Sequence, residues 1–222
     1  MADVALVCGG GGALGSEIVR TLFARGDRVV AADLHAHGDP APGLSHESLD
    51  LTSADEVAAL WDRLEAAGER PRWVVNAAGG FRPGTVAGSE PDAVRFAADL
   101  NLGTAWWCCR EAARRLPHGG AIVNVSSRAA LAGGAGAAAY AVAKAGVVRL
   151  TEVLAVELRE RRVRVNAILP SVIDTPANRA SMQPDALANA VAPAELAAVV
   201  SYLLSDAAAA VTGAILPVYG FA

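Results

Sequence analysis

Residues 4–19, VALVCGGGGALGSEIV, decide the fold: an apolar run, four consecutive glycines, and the start of an amphipathic window that reaches residue 25. The run Val4–Cys8 carries no polar side chain, as expected of a short strand buried on both faces of a sheet. The window from Ala13 reads as a helix. Backbone N–H groups at a helix N-terminus point outward with partial positive charge, and a turn without side chains lets a pyrophosphate approach them. A tight turn also needs glycine for purely conformational reasons, so the glycines alone do not establish a nucleotide site. Their place between a first strand and a first helix favours one.

The same rhythm continues outward from this unit. RVVAAD (28–33), RWVVN (72–76), AIVNVS (121–126), VRVNAIL (163–169) and AILPV (214–218) read as strands, and HESLD (46–50) is a weaker candidate. Helical windows lie near 13–25, 53–67, 89–115, 137–161 and 193–205, while HAHGDPAPG (35–43) is a loop. Strands alternating with helices predict an α/β protein, a Rossmann-type doubly wound parallel sheet with helices on both faces. A chain of 222 residues with 53% hydrophobic content is expected to bury one core, so residues 1–222 read as a single dinucleotide-binding and catalytic domain.

Composition excludes several functions. A net charge of -4 with arginines scattered along the chain gives no basic stripe for nucleic acid. Cys8, Cys108 and Cys109 are odd in number and two are adjacent, which suits free thiols in a reducing compartment better than a disulfide framework. His35 and His37 have the spacing of metal ligands but no third ligand in suitable context, so no metal is expected. A serine hydrolase is unsupported: there is no GxSxG elbow, and His35, His37, His46 and His118 are not placed beside a candidate serine. With no basic segment before the first apolar run and no apolar stretch of about 18 residues, neither a signal peptide nor a membrane span is expected, and the protein reads as cytoplasmic.

The second strand ends in Asp33, eighteen residues after Gly15, where a dinucleotide fold places an acid against the adenosine ribose. An acid there repels a 2′-phosphate. No Arg or Lys occupies the glycine turn or directly follows Asp33, so the cofactor expected is NAD, against the plainer reading of a solvated loop aspartate.

AAAYAVAKAG (137–146) holds the one lysine of a chain with eighteen arginines. Lys144 follows Tyr140 by one helical turn, which puts both side chains on one face. Ser127 ends the strand at 121–126, thirteen residues before Tyr140, and Asn101 sits in DLNLGTAWW. Together with CGGGGALG, NAAG (76–79), the DL at Asp50 and Leu51, and PSVIDT (170–175), these residues resemble the short-chain dehydrogenase/reductase family over essentially the whole chain. The resemblance implies Asn101, Ser127, Tyr140 and Lys144 as the catalytic set. It implies cofactor contacts from Gly9, Gly12, Leu14, Gly15, Asp33, Asp50, Leu51, Asn76, Ala77, Gly79, Tyr140, Lys144 and Pro170, with a carboxamide site at Ile173 and Thr175. Three positions depart from the family pattern: Ala13 stands for its middle glycine, Ala77 for a second asparagine, and Ser171 for the glycine after Pro170. None removes a catalytic group, although the Ala13 methyl could crowd the pyrophosphate.

The chemistry accounts for the lysine. A phenol of pKa near 10 is a poor base at neutral pH. A unit charge about 5 Å away, at an effective dielectric near 20, favours phenolate by roughly 3 kcal/mol, or about two pKa units. In this scheme Ser127 holds the substrate oxygen, Asn101 keeps a water path open to Lys144, and Lys144 also grips the nicotinamide ribose. Arginine essentially cannot give up its proton. The substrate expected is a neutral or singly charged carbonyl/alcohol pair under a short lid at 175–192, where Arg179 either recognises a carboxylate or is merely solvated. Trp106, Trp107, Cys108 and Cys109 lie on a helix the family uses for subunit contacts, so a homo-oligomer, tetramer or dimer, is expected, with core packing an equal alternative. Two other functions stay open. GGGGALGS, NAAGG and DTPANRASM are locally similar to the dihydropteridine reductases, a divergent branch that lacks the family serine, and a non-catalytic NAD-binding protein is the remaining class.

Overall fold

The computed structural model describes residues 3–35 and 38–221. His37, half of the histidine pair noted above, lies outside the described residues. Seven strands form one all-parallel sheet: β1 (Val4–Cys8), β2 (Arg28–Asp33), β3 (Leu44–Ser48), β4 (Pro71–Asn76), β5 (Ala121–Val125), β6 (Arg164–Pro170) and β7 (Ile215–Val218), in the order β3-β2-β1-β4-β5-β6-β7. The chain therefore builds outward from β1 to one edge, returns, and builds from β4 to the other. Between β1 and β4 the connections diverge, and a crevice opens at the strands' carboxyl ends.

Alternation along each strand splits the core into two layers. Leu6, Val30, Val74, Ile122 and Val165 pack on one face under α2 (Ala54–Ala66), α4 (Thr104–Arg115) and α5 (Ala138–Glu157). Ala5, Val7, Val29, Val75 and Val123 pack on the other under α1 (Ala13–Ala24) and α8 (Pro193–Leu204). This is the single doubly wound domain expected, with helices on both faces. Arg164 crosses into the second layer and donates to the carbonyls of Leu203, Leu204 and Ser205, satisfying the exposed carbonyl end of α8.

Two elements differ in extent or continuity from the sequence expectation. The weak strand lies at Leu44–Ser48, two residues earlier than HESLD, because His46 and Glu47 pair in register with Ala31 and Ala32 of β2. The long helix expected over 89–115 is two helices, α3 (Pro91–Ala98) and α4, joined by a π-helical turn at Asp99–Gly103. Residues 175–192 hold two short helices, α6 (Pro176–Ser181) and α7 (Pro184–Leu187), each started by a proline.

Candidate active site

The glycine turn leaves β1 with Gly9 at φ +87°, where a Cβ would lie 2.4 Å from the Ala78 backbone nitrogen. Gly15, on the first turns of α1, passes so close to Gly9 that a Cβ there would lie 1.9 Å from the Gly9 carbonyl oxygen. These contacts bring β1, α1 and the end of β4 together with no side chain between them. Gly12 caps α1 without a side chain, so the first N–H groups of the helix face outward unclaimed by any cap. Ala13, the departure from the family glycine, begins α1 in helical conformation and lines the crevice.

The crevice has two connected parts. The smaller, about 430 Å³, is lined by Gly9, Gly12, Asp33, Asp50 and Leu51. The larger, about 750 Å³, is lined by Asn101, Ser127, Tyr140, Lys144, Pro170, Ile173 and Thr175, with Leu14 and Gly15 at its inner end. Gly12, Ala77 and Gly79 line both. The Asp33 carboxylate accepts from the backbone N–H of Gly11 at 2.9 Å and of Leu34 at 2.7 Å, which fixes it at the mouth of the smaller part. Asp50 accepts from the Thr52 N–H and hydroxyl at 2.8 and 2.7 Å.

Of the expected residues, only Asn76 lines neither part. Its amide is buried in the core, donating to Asn124 Oδ1 at 2.7 Å and to Cys109 Sγ at 3.2 Å. Asn124 in turn donates to the Thr151 hydroxyl at 2.9 Å, so the polar chain ties β4 and β5 to α5. The Asn76 side chain is thus a buried brace between β4, β5 and α4. Strand alternation turns its side chain away from the crevice.

In the larger part the π-helical turn presents Asn101, whose amide donates to the carbonyls of Gly80 (2.9 Å) and Ala97 (3.2 Å) while its oxygen accepts from the Gly80 N–H (3.1 Å). A Cβ at Gly79 would lie 2.8 Å from Asn101 Oδ1 and 3.0 Å from Lys144 Nζ, so both groups converge on one point kept clear by a glycine. Lys144 is buried, and its ammonium donates to the Val125 carbonyl at 3.0 Å. Burial lowers its pKa to about 8. The Ser126 hydroxyl donates to the Lys144 carbonyl at 2.8 Å and holds α5 to the end of β5. Ser127, in extended conformation at the start of a short 3₁₀ turn, accepts from the Ala129 N–H at 3.2 Å.

Tyr140 departs from the expectation. Burial holds its phenol above the ordinary tyrosine value, and a hydrogen bond with Ser127 opposes this. The Lys144 ammonium lies 5.9 Å from the centre of the Tyr140 ring and is turned toward Val125. Phe81 packs edge-on against the same ring, with centroids 5.3 Å apart. The sequence reading missed Phe81, Ser126 and Met182, all of which line the larger part. An aromatic residue inside the glycine- and proline-rich stretch AGGFRPG was the available signal for the first.

On the lid, Asp174 binds Arg179 through both carboxylate oxygens at 2.5 and 2.7 Å. That pairing removes Arg179 as a free carboxylate anchor. Among the described residues no cluster of three or more His, Cys, Asp or Glu is arranged to hold a metal, and no helix is long and apolar enough to cross a membrane.

The family model described as enoyl-(acyl carrier protein) reductase matches residues 11–220. A solved short-chain type dehydrogenase/reductase from Mycobacterium ulcerans superposes with a TM-score of 0.88 at 28% identity, covering 98% of this chain and 88% of that one. The chain belongs to the short-chain dehydrogenase/reductase family. Another member, the cis-4-hydroxycyclohexanecarboxylate dehydrogenase of Sinomonas cyclohexanicum, is 34% identical over 98% of this chain and 95% of its own length. A 4-hydroxyisoleucine dehydrogenase solved with NADH has a TM-score of 0.87 at 25% identity, covering 98% of this chain and 97% of its own. As a short-chain dehydrogenase/reductase the chain is an oxidoreductase whose fold holds a nicotinamide cofactor, and the uncapped α1 N-terminus at Gly12, open to the crevice, suits its pyrophosphate.

Proposed function

We propose that the protein is an NAD(H)-dependent oxidoreductase that interconverts a carbonyl and an alcohol, with Tyr140 as general acid/base. The observation that carries this is the continuity of the crevice, from Asp33 through Gly12 and Gly79 to Tyr140 and Lys144. The α1 N-terminus would take the pyrophosphate, Asp33 the adenosine ribose, Asp50 and Leu51 the adenine, and Pro170, Ile173 and Thr175 the carboxamide. When bound, the reduced nicotinamide supplies a hydride to the carbonyl carbon and is itself oxidised.

The chain's own residues govern the proton. Ser127 donates a hydrogen bond to the substrate oxygen and fixes its direction. Tyr140, kept protonated by burial, gives its proton to that oxygen as negative charge develops there. Lys144, with a pKa of about 8, stays largely charged at neutral pH, would hold the nicotinamide ribose, and can pass a proton toward Tyr140. Asn101 keeps the approach to Lys144 open beside Gly79. The exposed apolar side chains Trp106 on α4 and Val142, Val153 and Val156 on α5 support a homo-oligomer, a tetramer or dimer, built on these helices. The composition supports a cytoplasmic enzyme.

The test follows NADH absorbance over a panel of ketones, acyl thioesters and a quinonoid dihydropterin generated in place. We expect ketone reduction, lost by about a hundredfold or more in Tyr140→Phe, the scale of general-acid catalysis. Turnover confined to the dihydropterin, or NADH binding without any turnover, would replace this reading.

A further inference from the structure

Phe81 is 57% exposed within the larger cleft, on the loop that leaves β4. Its ring and that of Tyr140 meet at 89° with centroids 5.3 Å apart, so the two form a right-angled aromatic corner in the cleft. The backbone that carries Phe81 is pinned on both sides. Before it, Gly80 exchanges hydrogen bonds with Asn101. After it, the Gly84 N–H donates to Gly136 and the Ala138 N–H donates to Gly84, at the start of α5. Arg82, next in sequence, is stacked on Phe96 at 3.5 Å instead of lining the cleft. A large apolar ring held exposed on a fixed backbone is area that a ligand can bury.

The rest of the lining has little to offer a polar or charged substrate body. Asn178 donates its amide to the Ile173 carbonyl at 2.8 Å, Ser181 its hydroxyl to Ala177 at 2.9 Å, and Ser171 its hydroxyl to Tyr219 at 3.0 Å. Among the described residues, Tyr140 and Lys144 are the cleft's only titratable lining side chains. Thr175 accepts from the Asn178 N–H at 3.2 Å, and Asn101 and Ser126 are bonded to backbone carbonyls, so beyond the catalytic set the side chains that face a substrate body are chiefly apolar, with Met182 able to adapt its shape.

Resting on the function proposed above, we infer that the cleft selects cyclic ketones with an uncharged body, and that Phe81 sets this selectivity by packing against the ring whose carbonyl Tyr140 holds. A ring reaches an aromatic face already ordered, whereas an acyclic ketone of equal size must immobilise its rotors to make the same contact.

The test compares kcat/KM for cyclohexanone and hexan-2-one, which have equal carbon counts, in wild type, Phe81→Ala and Phe81→Tyr, with NADH affinity read by fluorescence. Wild type favours the cyclic ketone by about tenfold or more, equivalent to about 1.4 kcal/mol. Phe81→Ala brings the ratio within about threefold while Phe81→Tyr retains it, because only the latter keeps the ring face. NADH affinity stays as in wild type for both variants, reporting an intact fold and cofactor site. A wild-type ratio near one, or a ratio undiminished in Phe81→Ala, overturns the inference and leaves the proposed ketone reduction standing. NADH binding without reduction of any ketone overturns both.

Discussion

At Lys144 a charge sits where the surroundings disfavour it. The ammonium is buried, its one side-chain hydrogen bond goes to the Val125 carbonyl, and its pKa falls to about 8. The unfolded chain binds the proton up to the ordinary lysine value, so between about pH 8 and 10.5 it holds more protons than the native state, and this group makes stability rise with pH there. Below that window the buried charge costs on the order of 3 kcal/mol. Lys144→Met should therefore raise the melting temperature of the cofactor-free protein at pH 7, while turnover is lost. Lys144→Arg should fold yet also lose most turnover, since a planar guanidinium neither fits beside Gly79 nor releases a proton. Thermal melts and NADH oxidation on the two variants check both; a Lys144→Met protein that melts lower, or a Lys144→Arg enzyme near the wild-type rate, contradicts the account. Lys144 was legible because one lysine among eighteen arginines marks a site where the two cations are not equivalent. The raised Tyr140 was not, because it depends on burial, which spacing along the chain does not reveal.

At the scale of elements, the π-helical turn at Asp99–Gly103 determines how Asn101 is used. One extra residue in the turn rotates α4 relative to α3 and sets the Asn101 amide against Gly80 and Ala97. Periodicity carried the helical window straight through this break, since a single inserted residue barely disturbs an apolar stripe. Strand placement was far more legible, because β1, β4, β5 and β6 are nearly continuous apolar runs buried on both faces. Asn101→Leu would strip partners from the Gly80 N–H and carbonyl at once. We expect it to lose about 1–3 kcal/mol of stability, the cost of buried polar groups left unpaired, measured as a lower urea midpoint with an unchanged slope. It should also raise KM for the ketone, because Gly80 anchors the segment that carries Phe81. An unchanged midpoint would mean that Gly80 is held by other contacts.

Over the whole molecule the balance of charge supports the proposed preference for NADH. None of the eighteen arginines lines either part of the crevice. Those near it are engaged elsewhere: Arg82 on Phe96, Arg128 over Tyr219, and Arg179 with Asp174. Arg110, Arg114 and Arg115 surround the buried Glu111 on α4. The adenosine part of the crevice presents Asp33 and Asp50 with no cation among its lining residues. A 2′-phosphate placed there would meet the Asp33 carboxylate, itself fixed by Gly11 and Leu34, so the acid cannot swing away without giving up two hydrogen bonds. The free hydroxyl of NADH would instead find an acceptor in the same carboxylate. Titrating both reduced cofactors by nicotinamide fluorescence should give NADH an affinity at least about tenfold above NADPH, or about 1.4 kcal/mol. Asp33→Asn, which keeps an oxygen for one backbone N–H and removes the charge, should narrow the gap by weakening NADH and strengthening NADPH. Equal affinities in wild type at low salt would remove Asp33 as the determinant.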